Sequence, residues 1–380
     1  MQTHHRIIID NAARMADIDD QSIDLVVTSP PYPMIQMWDA LFCMLNPAIA
    51  EDLAEDRADG AFEHMHGQLD RVWTELGRVV KPGGVVCINI GDATRTIASL
   101  FRLFANHARI ITAFHALGFT QVPTILWRKA TNAPNKFMGS GMLPPGAYVT
   151  LEHEYILIFR KGGKRLFSTA EEKNLRNASA FFWEERNQWF SDVWFNLIGT
   201  PQTLHNGNGK SRERSAAFPF DLPYRLINMF SVKGDTVLDP FVGTATTMLA
   251  AMSAGRHSIG YDLDPAFQEI ALQKIAGIPE LANRVIERRL QAHADFIADR
   301  LQAGKEVRNF NRRYNVPVVT RQEEMLYLEP VRQIQFIGND RFKVIHESEA
   351  AIQPASFICP PEPDPPRTRS VSKSRQLKLF

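Results

Sequence analysis

The chain has 380 residues, 44% of them hydrophobic, enough to bury one large mixed core with appended segments. Lys+Arg 43 against Asp+Glu 42 leaves it nearly neutral, so bulk charge argues neither for nor against a polyanionic partner. Cys43, Cys87 and Cys359 stand far apart without CxxC spacing, no apolar run reaches membrane-span length and the N-terminus lacks a signal-peptide core; together these predict a soluble cytoplasmic protein without a disulfide framework or structural zinc.

Two β-branched runs open the chain, Arg6 to Asp10 and Ile23 to Val27, and both read as buried parallel strands. A helical stretch from Leu69 to Val80 is closed by Lys81-Pro82-Gly83-Gly84, after which Val85 to Ile90 makes a strand ending at Gly91-Asp92. The pattern continues with a helix from Ile97 to Leu117, a strand from Val122 to Trp127 and another from Glu154 to Arg160, with a Gly/Pro-rich loop, Thr131 to Ala147, between those strands. From Lys161 to Ser215 periodicity disappears and basic residues mix with aromatics. Regular structure resumes with a helix from Pro223 to Ser231, the strand Thr236 to Asp239, a helix from Thr246 to Ala254 and the strand Ser258 to Asp262. A helix from Glu280 to Gln302, a mixed segment to about Glu347 and a Pro-rich, then basic, disordered tail from Pro354 follow. This is βαβ grammar, so the fold class is α/β with a mostly parallel sheet built from both ends of the chain.

The sharpest local signal is Thr28-Ser29-Pro30-Pro31-Tyr32, directly after an apolar strand, where open α/β sheets place their active sites. Such a turn suits an exocyclic base amine, whose lone pair is delocalised into the ring and must be drawn onto nitrogen. The Ser29 hydroxyl and the Pro30 carbonyl are acceptors for the amine protons, Pro30 and Pro31 stiffen the turn, and Tyr32 offers a ring for the base to stack on. By itself the turn equally well merely ends a strand. A second motif changes the balance. Asp239-Pro240-Phe241-Val242-Gly243-Thr244-Ala245-Thr246-Thr247 runs from strand through glycine turn into helix, and the next strand ends in Asp262, suited to a ribose diol. That order points to a nucleoside cofactor, and the missing Lys-Ser/Thr ending argues against ATP or GTP.

With both motifs in place, the chain resembles the amino-methylating DNA methyltransferases, in the permuted class whose catalytic motif precedes the cofactor motif; the likeness spans roughly residues 6–275. The resemblance implies a Rossmann-like methyltransferase sheet with helices on both faces, S-adenosylmethionine as cofactor and double-stranded DNA as partner. It makes Ser29, Pro30, Pro31 and Tyr32 the catalytic turn. It assigns Asp10, Phe218, Asp221, Asp239, Phe241, Gly243, Thr246 and Asp262 to the cofactor, and places His153-Glu154-Tyr155-Ile156 beside the base pocket. Serine at the head of the turn goes mainly with cytosine N4 products, with adenine N6 as the alternative. Ala245 stands where the family commonly has a second glycine, and alanine fits there if its φ is negative. A C5 mechanism needs a Pro-Cys pair, which the chain lacks.

The target base must be extruded from the duplex, and another part of the chain must read its flanks. The candidates are Lys136 in the Gly/Pro loop and Arg165, Lys210, Arg212 and Arg214 in the 161–215 segment, each of which, taken singly, reads more readily as an ordinary solvated cation. The expected organisation is a catalytic half at 1–160, a target-recognition insertion at 161–215, a cofactor half at 216–275, an extension at 276–350 and a tail at 351–380. His64, His66 and His153 lack metal spacing, so no metal is expected. Expected partners beyond DNA are a cognate restriction endonuclease acting separately and, for assembly, a monomer or homodimer without membrane contact. A non-catalytic DNA-binding subunit of the same fold is the reading from another class.

Overall fold

A computed structural model describes residues 1–129, 138–195, 197, 202–204, 212–214, 218–338 and 340–347, with backbone alone at 138, 202–204 and 212–214. Its frame is a ten-stranded sheet. In chain order the strands are β1 (Gln2–Ile9), β2 (Ile23–Thr28), β3 (Val80–Ile90), β4 (Phe119–Arg128), β5 (His153–Lys161), β6 (Val193–Trp194), β7 (Thr236–Asp239), β8 (His257–Asp262), β9 (Val331–Phe336) and β10 (Arg341–His346). The helices are α1 (Asp39–Leu45), α2 (Ala48–Ala54), α3 (Ala58–Val79), α4 (Asn106–Ala116), α5 (Ala170–Ala178), α6 (Trp183–Trp189), α7 (Asp221–Phe230), α8 (Thr246–Ser253), α9 (Ala266–Ala276) and α10 (Ile278–Gln302).

The sheet runs β6-β4-β5-β3-β2-β7-β8-β1-β10-β9. Strands β3, β2, β7, β8 and β1 are mutually parallel, and the antiparallel β5 and β10 flank them. Every residue of β2 is buried, as a strand covered on both faces requires. Its side chains alternate: Val26 packs with Trp73 of α3 and Phe114 of α4, while Leu25 and Val27 face Leu222 and Ile227 of α7. Helix α3 buries Met65, Leu69, Val72, Trp73, Leu76 and Val79, the stripe of an amphipathic helix laid on a sheet.

Three features differ from the expectation. Where a helix was read from Ile97, the chain forms a hairpin, Ala93–Ile97 against Leu100–Phe104, before α4 begins at Asn106. The segment read as an insertion supplies β6, which pairs with Leu126 and Trp127 of β4 and closes one end of the sheet. The segment read as an extension supplies β9 and β10, and β10 covers the outer edge of β1 from Gln2 to Arg6. In α10, Ile286, Leu290 and Ile297 are buried, whereas Leu301 is half exposed.

Candidate active site

Because β2 and β7 pair in parallel, Leu25 beside Val237 and Val26 beside Leu238, the turn after Thr28 and the loop after Asp239 leave the same edge of the sheet side by side. A direct bond ties them: the Thr28 hydroxyl donates to Asp239 Oδ1 at 2.6 Å across 211 residues of sequence. Asp10 follows β1 and Asp262 ends β8 on that edge, and the Asp10 amide donates to the Asp262 carbonyl at 3.0 Å.

These loops enclose a cavity of about 430 Å³, within the range of small-ligand sites. Ser29, Pro30, Pro31 and Tyr32 line it, as do Asp10, Phe218, Asp239, Phe241, Gly243, Thr246 and Asp262. Asp221 does not. It begins α7, and its carboxylate pairs with Arg288 at 2.5 Å.

Burial and local hydrogen bonds set the acids apart. Asp239 is 2% exposed and holds Thr28 and the Phe241 amide, yet burial still pushes its carboxyl up to about 6. Burial also raises Asp262, whose two oxygens each accept one backbone amide, Gly243 at 2.8 Å and Asp264 at 2.9 Å. Each oxygen keeps a further lone pair, which fits a carboxylate taking a vicinal diol. Gly243 (φ 49°) and Ala245 (φ 64°) both adopt the left-handed conformation. Alanine at 245 therefore does not take the negative φ under which it was expected to fit. It holds a glycine-type turn at a steric cost of about 1–2 kcal/mol.

At the other end of the cavity, Tyr32 is held by Glu154, which the resemblance placed beside the base pocket, and by Asn89, which sequence reasoning did not single out. Its hydroxyl donates to Glu154 Oε2 at 3.0 Å, accepts from Asn89 Nδ2 at 2.9 Å and lies 3.2 Å from Ser29 Oγ. Lys129, just past β4, donates to Glu154 Oε1 at 2.5 Å and lies 4.8 Å over the Trp127 ring. Burial first, then the neighbouring Glu154 carboxylate, raises the Tyr32 hydroxyl well above its usual range, so it stays protonated. Gly91 makes room, since a Cβ there would lie 3.0 Å from the Tyr32 ring and 3.3 Å from Glu154 Cγ. Beneath the turn, fully buried Asn106 donates to the carbonyls of Pro33 at 3.1 Å and Gly91 at 3.0 Å, and its Oδ1 accepts from His66 Nε2 at 3.0 Å. Burial drops the His66 pKa to about 3, so the ring is neutral. Glycine after a strand and a polar residue in an apolar strand were the available signals for Gly91 and Asn89. Asn106 gave none.

The basic residues scatter. Arg165 lies by the opposite strand ends, where it pairs with Asp235 at 2.7 Å. Arg212 and Arg214 sit on a short ladder with Gln202–Leu204, described for the backbone only. Lys136, Lys210 and the tail at 351–380 fall outside the described residues. Among the described residues one group, Glu184, His293 and Glu323, gathers ligand-type atoms within 4.8 Å. Both His293 nitrogens face acceptors, Glu184 Oε1 at 2.8 Å and the Pro317 carbonyl at 2.9 Å, and against the lowering effect of burial these partners raise its pKa above the usual value.

A family model described as DNA methylase, of the N6/N4 type, matches residues 23–273, a span that contains the turn, the glycine loop and Asp262. The chain belongs to the N6/N4 DNA methylase family. This methylase is 52% identical over 349 residues to the type II methyltransferase M.MthZI of Methanothermobacter thermautotrophicus, covering 91% of this chain and 96% of that relative. It is 51% identical over 284 residues to the type II methyltransferase M.MjaI of Methanocaldococcus jannaschii, covering 72% and 91%. Among solved structures it matches a DNA modification methylase of Thermus thermophilus, TTHA0409, crystallised with S-adenosyl-L-methionine: 31% identity, TM-score 0.55, 72% of this chain and 95% of that one.

Proposed function

We propose that this DNA methyltransferase places its methyl group on the N4 amine of cytosine within a specific duplex sequence, after the base has swung into the cavity. The observation that carries the reading is that Ser29 heads a Pro-Pro-Tyr turn joined through Thr28 and Asp239 to the glycine loop. The cavity suits S-adenosylmethionine: the half-buried Asp262 carboxylate for the ribose, Asp10 beside it for the adenine, Phe241, Gly243 and Thr246 along the loop, and Asp239 and Phe218 toward the methionine end. That cofactor supplies an electrophilic methyl group on a sulfonium.

The chain's own residues do the remainder. The Ser29 hydroxyl and the Pro30 carbonyl accept hydrogen bonds from the amine and draw its lone pair onto nitrogen. The Tyr32 ring, fixed through its hydroxyl, stacks on the base and keeps water off the amine. The segment between Trp194 at the end of β6 and the cavity residue Phe218 carries Lys210, Arg212 and Arg214, and is proposed with Lys136 as the surface that reads the flanking duplex. Arg165, spent on Asp235, has no part in it. The long relatives are named type II methyltransferases, which supports a place beside a separately acting restriction endonuclease.

The test is digestion of methylated DNA to nucleosides followed by mass spectrometry. N4-methylcytosine is expected at a single sequence context; N6-methyladenine as the sole product overturns the choice of base.

A further inference from the structure

The strand β5 that carries Glu154 is otherwise apolar through Ile156, Leu157, Ile158 and Phe159, all buried against β3 and β4. A carboxylate at its entrance is unfavourable unless it is fully bonded or has work to do. Glu154 is 9% exposed, and both oxygens are committed: Oε2 accepts from Tyr32 Oη at 3.0 Å and Asn89 Nδ2 at 2.6 Å, Oε1 from Lys129 Nζ at 2.5 Å. These contacts do more than satisfy it, because Tyr32 Oη also lies 3.2 Å from Ser29 Oγ, the atom facing the amine.

We propose that Ser29, Tyr32 and Glu154 form a proton path from the substrate amine to the Glu154 carboxylate. Once nitrogen carries the new methyl group, it holds one proton in excess. That N–H bond breaks toward Ser29 Oγ, the serine's own proton passes to Tyr32 Oη, the tyrosine's passes to Glu154 Oε2, and a carboxylic acid forms. Ser29 and Tyr32 end as they began, the positive charge on nitrogen cancels the carboxylate charge, and no other reactant is consumed. Tyr32 suits the middle of the path because it stays protonated and never becomes a free phenolate. Asn89 keeps Oε2 turned to the phenol, since its amide nitrogen bridges Tyr32 Oη and Glu154 Oε2. The titratable groups facing Glu154 are Tyr32 from the turn and Lys129 from the end of β4; β3 presents the neutral Asn89. When product leaves, Glu154, itself on the cavity wall, gives the proton to solvent entering the cavity, and the Lys129 ammonium on Oε1 favours the return to carboxylate. Glu154 thus acts on the substrate through two other side chains, as a positioning residue and proton store. The inference rests on amine methylation, not on the choice of cytosine.

Single-turnover transfer of a radiolabelled methyl group to DNA tests it in the full chain across pH. For Glu154→Gln, the rate falls about 100-fold and its decline on the acid side disappears, because that decline reports protonation of Glu154. Affinities for a non-transferring cofactor analogue and for DNA stay within about twofold. Glu154→Asp keeps part of the rate and a displaced acid limb, which separates lost chemistry from lost folding. Tyr32→Phe combined with Glu154→Gln is no slower than the slower single variant, since either change cuts one path. In the cofactor-free protein, the infrared carboxyl signal that Glu154→Gln removes titrates with the same midpoint as the acid limb. A Glu154→Gln rate within about threefold of the original, a lowered rate with its acid limb intact, or independent effects of the two changes each overturn the path. A parent protein that transfers no label to any DNA indicts the methylation reading, not this one.

Discussion

The cavity and the ion-paired seam outside it use charged residues in opposite ways. At the carboxyl ends of β7 and β8, the acids bond to hydroxyls and backbone amides and line the cavity: Asp239 on Thr28 and the Phe241 amide, Asp262 on the Gly243 and Asp264 amides. In the seam the charges are spent on each other. Asp24 takes Lys81 on both oxygens at 2.7 and 2.8 Å, and Arg165 takes Asp235 at 2.7 Å. Arg289 reaches Glu185 through two nitrogens at 2.5 and 2.7 Å and Tyr224 through a third. Within the seam, the Glu185–Arg289 pair joins α6, from the segment read as an insertion, to α10, from the one read as an extension. A carboxylate with a spare lone pair is held ready for a ligand; a carboxylate facing a guanidinium is scaffold.

The largest expected effect tests the scaffold side. Glu185→Ala leaves the buried Arg289 without its carboxylate and costs about 3–5 kcal/mol in urea unfolding. Methyl transfer per folded molecule stays unchanged; a fall in that rate would break the division between the regions. A middle-sized effect comes from acid. Burial depresses His66 to about 3 and His346 to about 4, so below the unfolded value near 6.5 the unfolded chain takes up protons that the native chain refuses. Stability is fully present above that value and is lost as pH falls toward the folded values. Each histidine withdraws about 2 kcal/mol by pH 5. His66→Gln or His346→Gln should each shrink the pH 8 to pH 5 stability difference by that amount. Asp239 and His293, both raised, work in the other direction in parent and variants alike and cancel from the comparison. The smallest effect sharpens the cavity side. Ala245→Gly relieves the left-handed alanine and raises stability by about 0.5–1 kcal/mol with transfer within twofold, whereas a lower melting temperature would mean the methyl group earns more in packing than it loses in strain.

The legible parts of the fold were those written in local pattern. The run Ile23 to Val27 and the strand Thr236 to Asp239 lie within a residue of where periodicity and turn residues place them. The hairpin at 93–104 was not legible because its turn uses Ala98 and Ser99 at positive φ, without the Asn-Gly that marks such turns, so a helical reading ran through it. Strands β6 and β10 join the sheet by pairing with distant partners, which no local period encodes, and β9 joins through its hairpin with β10. The site shows the same split. Ser29 to Tyr32 and the loop to Thr246 are contiguous motifs. The resemblance placed Glu154 beside the base pocket, but Asn89 on Tyr32 and Lys129 on Glu154 come from other strands or strand ends, so only the folded sheet puts them together.

The bond between Thr28 and Asp239 spans 211 residues, and the outer neighbour of β1 arrives only with Arg341–His346. During synthesis, β1 and β2 therefore leave the ribosome long before β7, β8 and β10 exist to cover them. Apolar strand edges wait exposed, and slow, long-range closure of this kind favours chaperone capture. The catalytic turn is made early, but a nascent chain has no complete cavity wall until Phe267 has been translated.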